Sequence, residues 1–138
     1  MKVLLTNLCI AISCIALAQE RYVDSIKNLR QFQARDTNTV NLLNRLSEED
    51  EFTNAERAVH LGQEAYALAD SLHFTAGMAF ADLLVGGAYS TLGDYRLALY
   101  YNFKSRDLGK DLADPHIYIR SLSHLSACYG FIGEFIFF

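Results

Sequence analysis

His124 and Cys128 stand four residues apart, and on a helix that spacing puts both on one face. A histidine and a thiol so placed are a candidate metal pair, or a nucleophile with its base. The plainer alternative is a small cysteine buried beside Tyr129 and a histidine whose polar atoms are satisfied or exposed. The plainer one is favoured, because His60, His73 and His116 fall at no ligand spacing with the pair. No nucleotide-binding glycine loop, zinc-binding His-Glu pattern, paired-cysteine site or kinase signature occurs either. The expectation is a chain without catalytic residues, metal or cofactor.

Two other clusters carry chemistry. Glu48-Glu49-Asp50-Glu51 is an acidic run able to attract a cation or a basic partner, although such runs are ordinarily solvated helix ends. Tyr95, Tyr100, Tyr101 and Phe103 could line a ligand groove, but their spacing around Ala98 fits packing between helices better.

The elements that would position these residues are helices. The chain has 138 residues, 51% hydrophobic and 20% charged, with one proline and no tryptophan, which fits one all-α globular domain. Its net charge of −4 and the lack of any Lys/Arg run argue against nucleic acid as a partner. At the N-terminus, Lys2 precedes an apolar run from Val3 to Ala16, and Ala16-Leu17-Ala18 leads into polar Gln19 and Glu20. This is the pattern of a secretory signal peptide over residues 1–18, cleaved after Ala18. The run is too short and too interrupted, by Thr6 and Asn7, for a spanning helix. A lipid-attachment site at Cys14 is the lesser option, since Ala11-Ile12-Ser13 lacks the usual leucine. Cleavage would leave Cys128 as the single thiol, so packing rather than disulfides must hold the fold.

Residues 37–138 carry an internal repeat. Tyr89 and Tyr129 lie 40 residues apart, as do Gly93 and Gly133, Ala58 and Ala98, Ala65 and Ser105, Leu68 and Leu108, and Val85 and Leu125. A period of this size marks stacked helical hairpins, each burying its face on its neighbours. Asp36 and Thr37 open a helix through Val40, Leu43 and Leu46. Thr53 and Glu56 offer a capping box for a helix to about Ser71. Phe74 to Thr91 and Asp94 to Leu112 form the clearest pair, with Gly93 in the left-handed position and Asp94 as the next cap. Asp114-Pro115 opens a last helix to Ile132, followed by a turn at Gly133. Residues 19–36 hold a lead-in helix over Tyr22 to Arg35. Gly86, Ala98 and Ser105 supply the small side chains that close helix approach needs, with Leu83, Tyr89 and Leu108 filling the space around them.

On Gly86, Tyr89, Gly93, Asp94, Tyr95 and Ala98 the chain resembles the tetratricopeptide repeat family. The resemblance covers roughly residues 37 to 138, in units of about 37–73, 74–113 and 114–138, the last incomplete. It implies an antiparallel helix-hairpin solenoid with Gly86, Tyr89, Gly93, Tyr95, Ala98, Ser105, Tyr129 and Gly133 as signature packing positions. The forms around Gly93 to Leu108 and Thr39 to Leu46 resemble exported bacterial sensor proteins, in which such repeats precede a membrane helix and a histidine kinase or DNA-binding output domain. The implied function is non-catalytic protein binding, as the periplasmic sensing or scaffolding part of a longer membrane-anchored signal-transduction protein. The alternative is a free-standing exported or lipid-anchored scaffold. In this family the first helix of each unit lines the concave face, which makes Phe80, Leu83, Gly87, Ser90, Arg120, Ser123 and Ala127 the groove candidates for a protein or peptide ligand. Thr53 and Asp50 depart from the pattern in the first unit, and the apolar end Phe135-Ile136-Phe137-Phe138 invites self-association.

Overall fold

The computed structural model describes residues 10, 12–15, 17, 18, 21 and 34–136. The chain divides into two units, residues 1–35 and 36–138. In the first, the described residues Ile10, Ile12 to Ile15, Leu17, Ala18 and Arg21 are helical and exposed. Most of the expected signal peptide and nearly all of the lead-in helix lie outside the described residues. Among those described, no helix is long and apolar enough to cross a membrane.

The second unit is all-α. Its helices are α1 (Thr37–Asp50), α2 (Ala55–Ser71), α3 (Thr75–Thr91), α4 (Tyr95–Gly109) and α5 (His116–Ile136). Each packs antiparallel on the one before it, and the odd helices also meet one another, α1 with α3 and α3 with α5. The central helix α3 therefore touches all four others. Its sequence explains this: Ala79, Ala81, Leu83, Leu84, Val85 and Ala88 put apolar groups on every side, and a helix hydrophobic all round must be enclosed. Leu43, Leu61, Leu83 and Leu84 are fully buried, each contributing about 1.5–3 kcal/mol by leaving water.

The helix boundaries follow short polar residues. Asp36 caps α1 by accepting from the Thr39 amide at 2.9 Å, and Asp94 caps α4 by accepting from the Leu97 amide at 3.0 Å. The α3–α4 break is the expected hairpin turn: Gly93 has φ +79°, its amide donates to the Ser90 carbonyl, and that of Asp94 donates to Tyr89. The same pair of bonds ends α2, where His73 takes the left-handed conformation at φ 52° and the Phe74 amide donates to the Ala69 carbonyl.

Three boundaries correct the sequence reading. The cap of α2 is Asn54, which accepts from the Arg57 amide at 3.1 Å, while the Thr53 hydroxyl turns back to the Glu49 carbonyl. Asn54 stands 40 residues before Asp94, the cap of α4. Helix α4 ends at Gly109, three residues earlier than Leu112, with Lys110 capping its end. Helix α5 does not turn at Gly133 but continues to Ile136. There Glu134 occupies the place of Asp94, and glutamate is a helix former rather than an N-cap.

Ala98 and Ser105 are fully buried, and a Cβ on Gly86 would come within 2.5 Å of the Asn102 amide nitrogen. Buried polar side chains reach the backbone of neighbouring helices: Asn44 Nδ2 donates to the Gly77 carbonyl at 3.2 Å, Ser47 Oγ to Ala58 at 2.8 Å and Ser105 Oγ to Ala79 at 2.8 Å. Tyr89 and Tyr101 stack at 5.5 Å over the cluster of Ala55, Ala58, Val59, Val85 and Ala88.

Candidate functional site

The face made by α1, α3 and α5 holds a cleft of about 290 Å³, near the lower end of the range for ligand clefts. Its floor comes from α3, through Gly87, Ser90 and Thr91, and one wall from α5, through His124, Ala127, Cys128 and Phe131. The other walls are Glu51 and Phe52, at and just past the end of α1, and Tyr95, at the start of α4. Tyr95 and Phe131 stack at 5.5 Å, so one rim is a paired aromatic surface.

Polar groups inside the cleft are few, and the thiol is already engaged. Ser90 Oγ donates its single proton to the Gly86 carbonyl at 3.2 Å and lies 3.3 Å from Cys128 Sγ, which leaves the thiol as donor to the hydroxyl. Cys128 is buried, and no hydrogen bond joins it to His124. Burial, with a smaller effect from the positive charge of Arg120, holds the His124 imidazole below its ordinary value. Among the described residues no three His, Cys, Asp or Glu side chains converge on a metal position.

The acidic run is not uniformly solvated. Glu48 Oε1 accepts from Arg120 Nη1 at 3.0 Å, tying α1 to α5. Asp50 is buried and takes Arg57 in a two-pronged pair, with Nη2 to Oδ1 at 2.6 Å. Glu51 is only 8% exposed, and its carboxylate has no ion-pair or hydrogen-bond partner among the described residues. It rests on the backbone of α3, where a Cβ on Gly87 would fall 2.5 Å from Oε1. Burial pushes this carboxylate up, Arg120 pulls it down more weakly, and Glu48 adds to the upward shift.

The groove candidates divide. Gly87, Ser90 and Ala127 line the cleft. Arg120 and Phe80 lie beside one another, the guanidinium 5.6 Å from the ring, and Ser123 is exposed on α5 with its hydroxyl bonded to the Ile119 carbonyl. Leu83 is fully buried and cannot meet a ligand, because α3 is enclosed on that side as well. Among the aromatics, Tyr95 lines the cleft, whereas Tyr101 packs inward on Tyr89, Phe103 lies under Arg106, and Tyr100 is 57% exposed. Tyr129 is 55% exposed, unlike its repeat mate Tyr89. Sequence reasoning missed Phe52 and Phe131, and it named Glu51 only as one of an acidic run; the one signal that could have singled it out was an acid placed at the negative end of a helix.

A second polar cluster joins α2, α3 and α4. Asp82 is buried, with Lys104 Nζ 3.3 Å from Oδ1, and Lys104 lies 4.3 Å over the Tyr66 ring. Gln63, Tyr66, Val85 and Tyr101 complete a recess of about 140 Å³ there.

Comparison of the chain with protein families, with curated proteins and with solved structures gives no match in any of the three.

Proposed function

We propose that this chain is a non-catalytic protein-interaction module of the tetratricopeptide kind, which holds a peptide or protein segment on the face formed by α1, α3 and α5. The observation that carries this reading is the cleft itself. It is walled by aromatic and small side chains from separate helices, it holds few polar groups, and its thiol meets the Ser90 hydroxyl. The succession of antiparallel hairpins, with odd helices meeting odd helices and caps 40 residues apart at Asn54 and Asp94, supports a repeat solenoid of period about 40. In that architecture the odd helices line the concave surface.

Placement in the cell rests on the N-terminal pattern and on the resemblance to exported sensors. On that reading the module is the periplasmic sensing or scaffolding part of a signal-transduction protein, such as a histidine kinase.

Peptide display on the immobilised full chain tests the binding role. Enriched peptides should lose binding when Ala127→Trp fills the cleft with a bulky side chain, and keep it with Arg96→Glu on the exposed side of α4. A library that enriches nothing, or peptides indifferent to Ala127→Trp, would refute the proposal.

A further inference from the structure

Glu51 is the group in the cleft that the fold leaves unanswered. Its neighbours in the acidic run have cationic partners, Glu48 with Arg120 and Asp50 with Arg57, and Glu49 is exposed to solvent. Glu51 is nine-tenths buried with no such partner, at the end of α1 where the helix dipole also disfavours negative charge. Arg120 is the charged group of α5 that faces it, but that guanidinium is committed to Glu48. His124 and Cys128 are the titratable groups of α5 that line the cleft; burial favours the neutral imidazole, and the thiol is hydrogen-bonded to Ser90. The cleft's α3 residues, Gly87, Ser90 and Thr91, carry no charge, nor does Tyr95 of α4. A carboxylate opposed by burial, by the dipole and by Glu48 becomes favourable when a cation enters beside it. The walls suit an occupant that is apolar along its length and charged at its tip, since Phe52, Tyr95 and Phe131 present ring surface around the carboxylate.

Resting on the interaction-module reading, we propose that the cleft is a pocket for one basic side chain, the lysine or arginine of a bound peptide, whose charge pairs with Glu51. Gly87 is part of the design: having no Cβ, it lets the carboxylate lie on the α3 backbone at the cleft floor. The volume of about 290 Å³ admits one or two side chains rather than a cofactor.

The test is a nuclear magnetic resonance titration of the labelled full chain with the N-acetyl, N′-methylamide derivatives of lysine, arginine and norleucine. The lysine and arginine probes should shift the amides of Gly87, Ser90 and Ala127 saturably. Norleucine, which has the stem without the charge, should bind about tenfold more weakly or worse. Glu51→Gln should lower lysine affinity by a similar factor, and Glu49→Gln, in the same run but exposed, should leave it unchanged. Gly87→Ala displaces only the end of the Glu51 side chain, so the helix is kept while lysine binding falls, and it serves where Glu51→Gln disturbs the fold. Equal binding of norleucine and lysine, wild-type affinity in Glu51→Gln or Gly87→Ala, or no shifts from either cationic probe at tens of millimolar would overturn the pocket. Display peptides without lysine or arginine that still depend on Ala127 would overturn this inference alone and leave the module standing.

Discussion

Asp82 offers the sharpest test of how charge is held in this fold. Its side chain is 2% exposed; Oδ1 meets Lys104 at 3.3 Å, and Oδ2 has no hydrogen-bond partner. Burial raises the carboxyl from 3.8 to about 6, even though Lys104 pulls the other way. Burial is the largest single influence on Lys104 and lowers it, but the Asp82 carboxylate together with Tyr66 and Tyr100 holds it above its ordinary value, so it remains charged throughout this range. Because the folded state holds the Asp82 proton more tightly than the unfolded chain, this group's contribution to stability is fully present below pH 3.8 and is lost as pH rises through about 6. A shift of roughly two units corresponds to about 3 kcal/mol. Asp82→Asn removes the titration while keeping the shape. The stability of the variant minus that of wild type should therefore rise by about 2–3 kcal/mol between pH 4 and pH 7.5, measured by urea unfolding at each pH. Taking the difference between the two proteins cancels other groups, including Glu51, which shifts in the same direction, and Asp36, which shifts in the opposite one. A difference that stays flat to within about 0.5 kcal/mol, or that falls with pH, would refute the claim that burial outweighs the ion pair at Asp82.

Ala98→Leu should destabilise by about 1–3 kcal/mol in denaturant unfolding, because Ala98 is fully buried where α3 and α4 approach. His73→Gly should stabilise by up to about 1 kcal/mol, relieving a left-handed residue with a side chain; a loss of stability would contradict the geometry at the end of α2. Arg57→Ala should cost about 2–4 kcal/mol, since it strands the buried Asp50 carboxylate, and Arg57→Ala with Asp50→Asn should recover part of that in a double-mutant cycle. Cys128 is 1% exposed, so with Cys9 and Cys14 replaced by serine its alkylation by iodoacetamide should be slower than in urea by on the order of a hundredfold; comparable rates would contradict its burial.

The sequence was most readable where one residue type answers one backbone need. Asp36 and Asp94 as caps and Gly93 in the left-handed position follow from chemistry confined to a few neighbouring residues. Ala98 and Ser105 were legible through their repeat mates, because only small residues tolerate that approach. The departures have tertiary causes. Leu83 was placed both in the packing and in the groove, and a helix enclosed on all sides has no open face to which an apolar residue could be assigned. Gly133 matched Gly93 in type but had Glu134 after it instead of an aspartate, so the helix ran on. Glu51 could not be told from Glu49 in an acidic run, since their difference lies in α3 and α5, which cover one and not the other.

Two buried carboxylates, each raised by its surroundings, bring out what separates structure from site. Asp82 and Gly87 lie on opposed flanks of α3, given a helix of 3.6 residues per turn, so the Asp82 cluster and the Glu51 cleft use the same helix without sharing a wall. At Asp82 the chain supplies its own cation: Lys104 reaches in from α4, is held over Tyr66, and fastens α4 to α3. At Glu51 the equivalent cation is absent among the described residues, although Arg120 is close enough to influence it and is spent on Glu48 instead. A buried carboxylate that only stabilised the fold would be more favourable with its partner supplied, as Asp82 has it, or replaced by an apolar side chain. Keeping Glu51 ionisable, apolar-walled and open to one side makes physical sense where the missing charge arrives on another molecule.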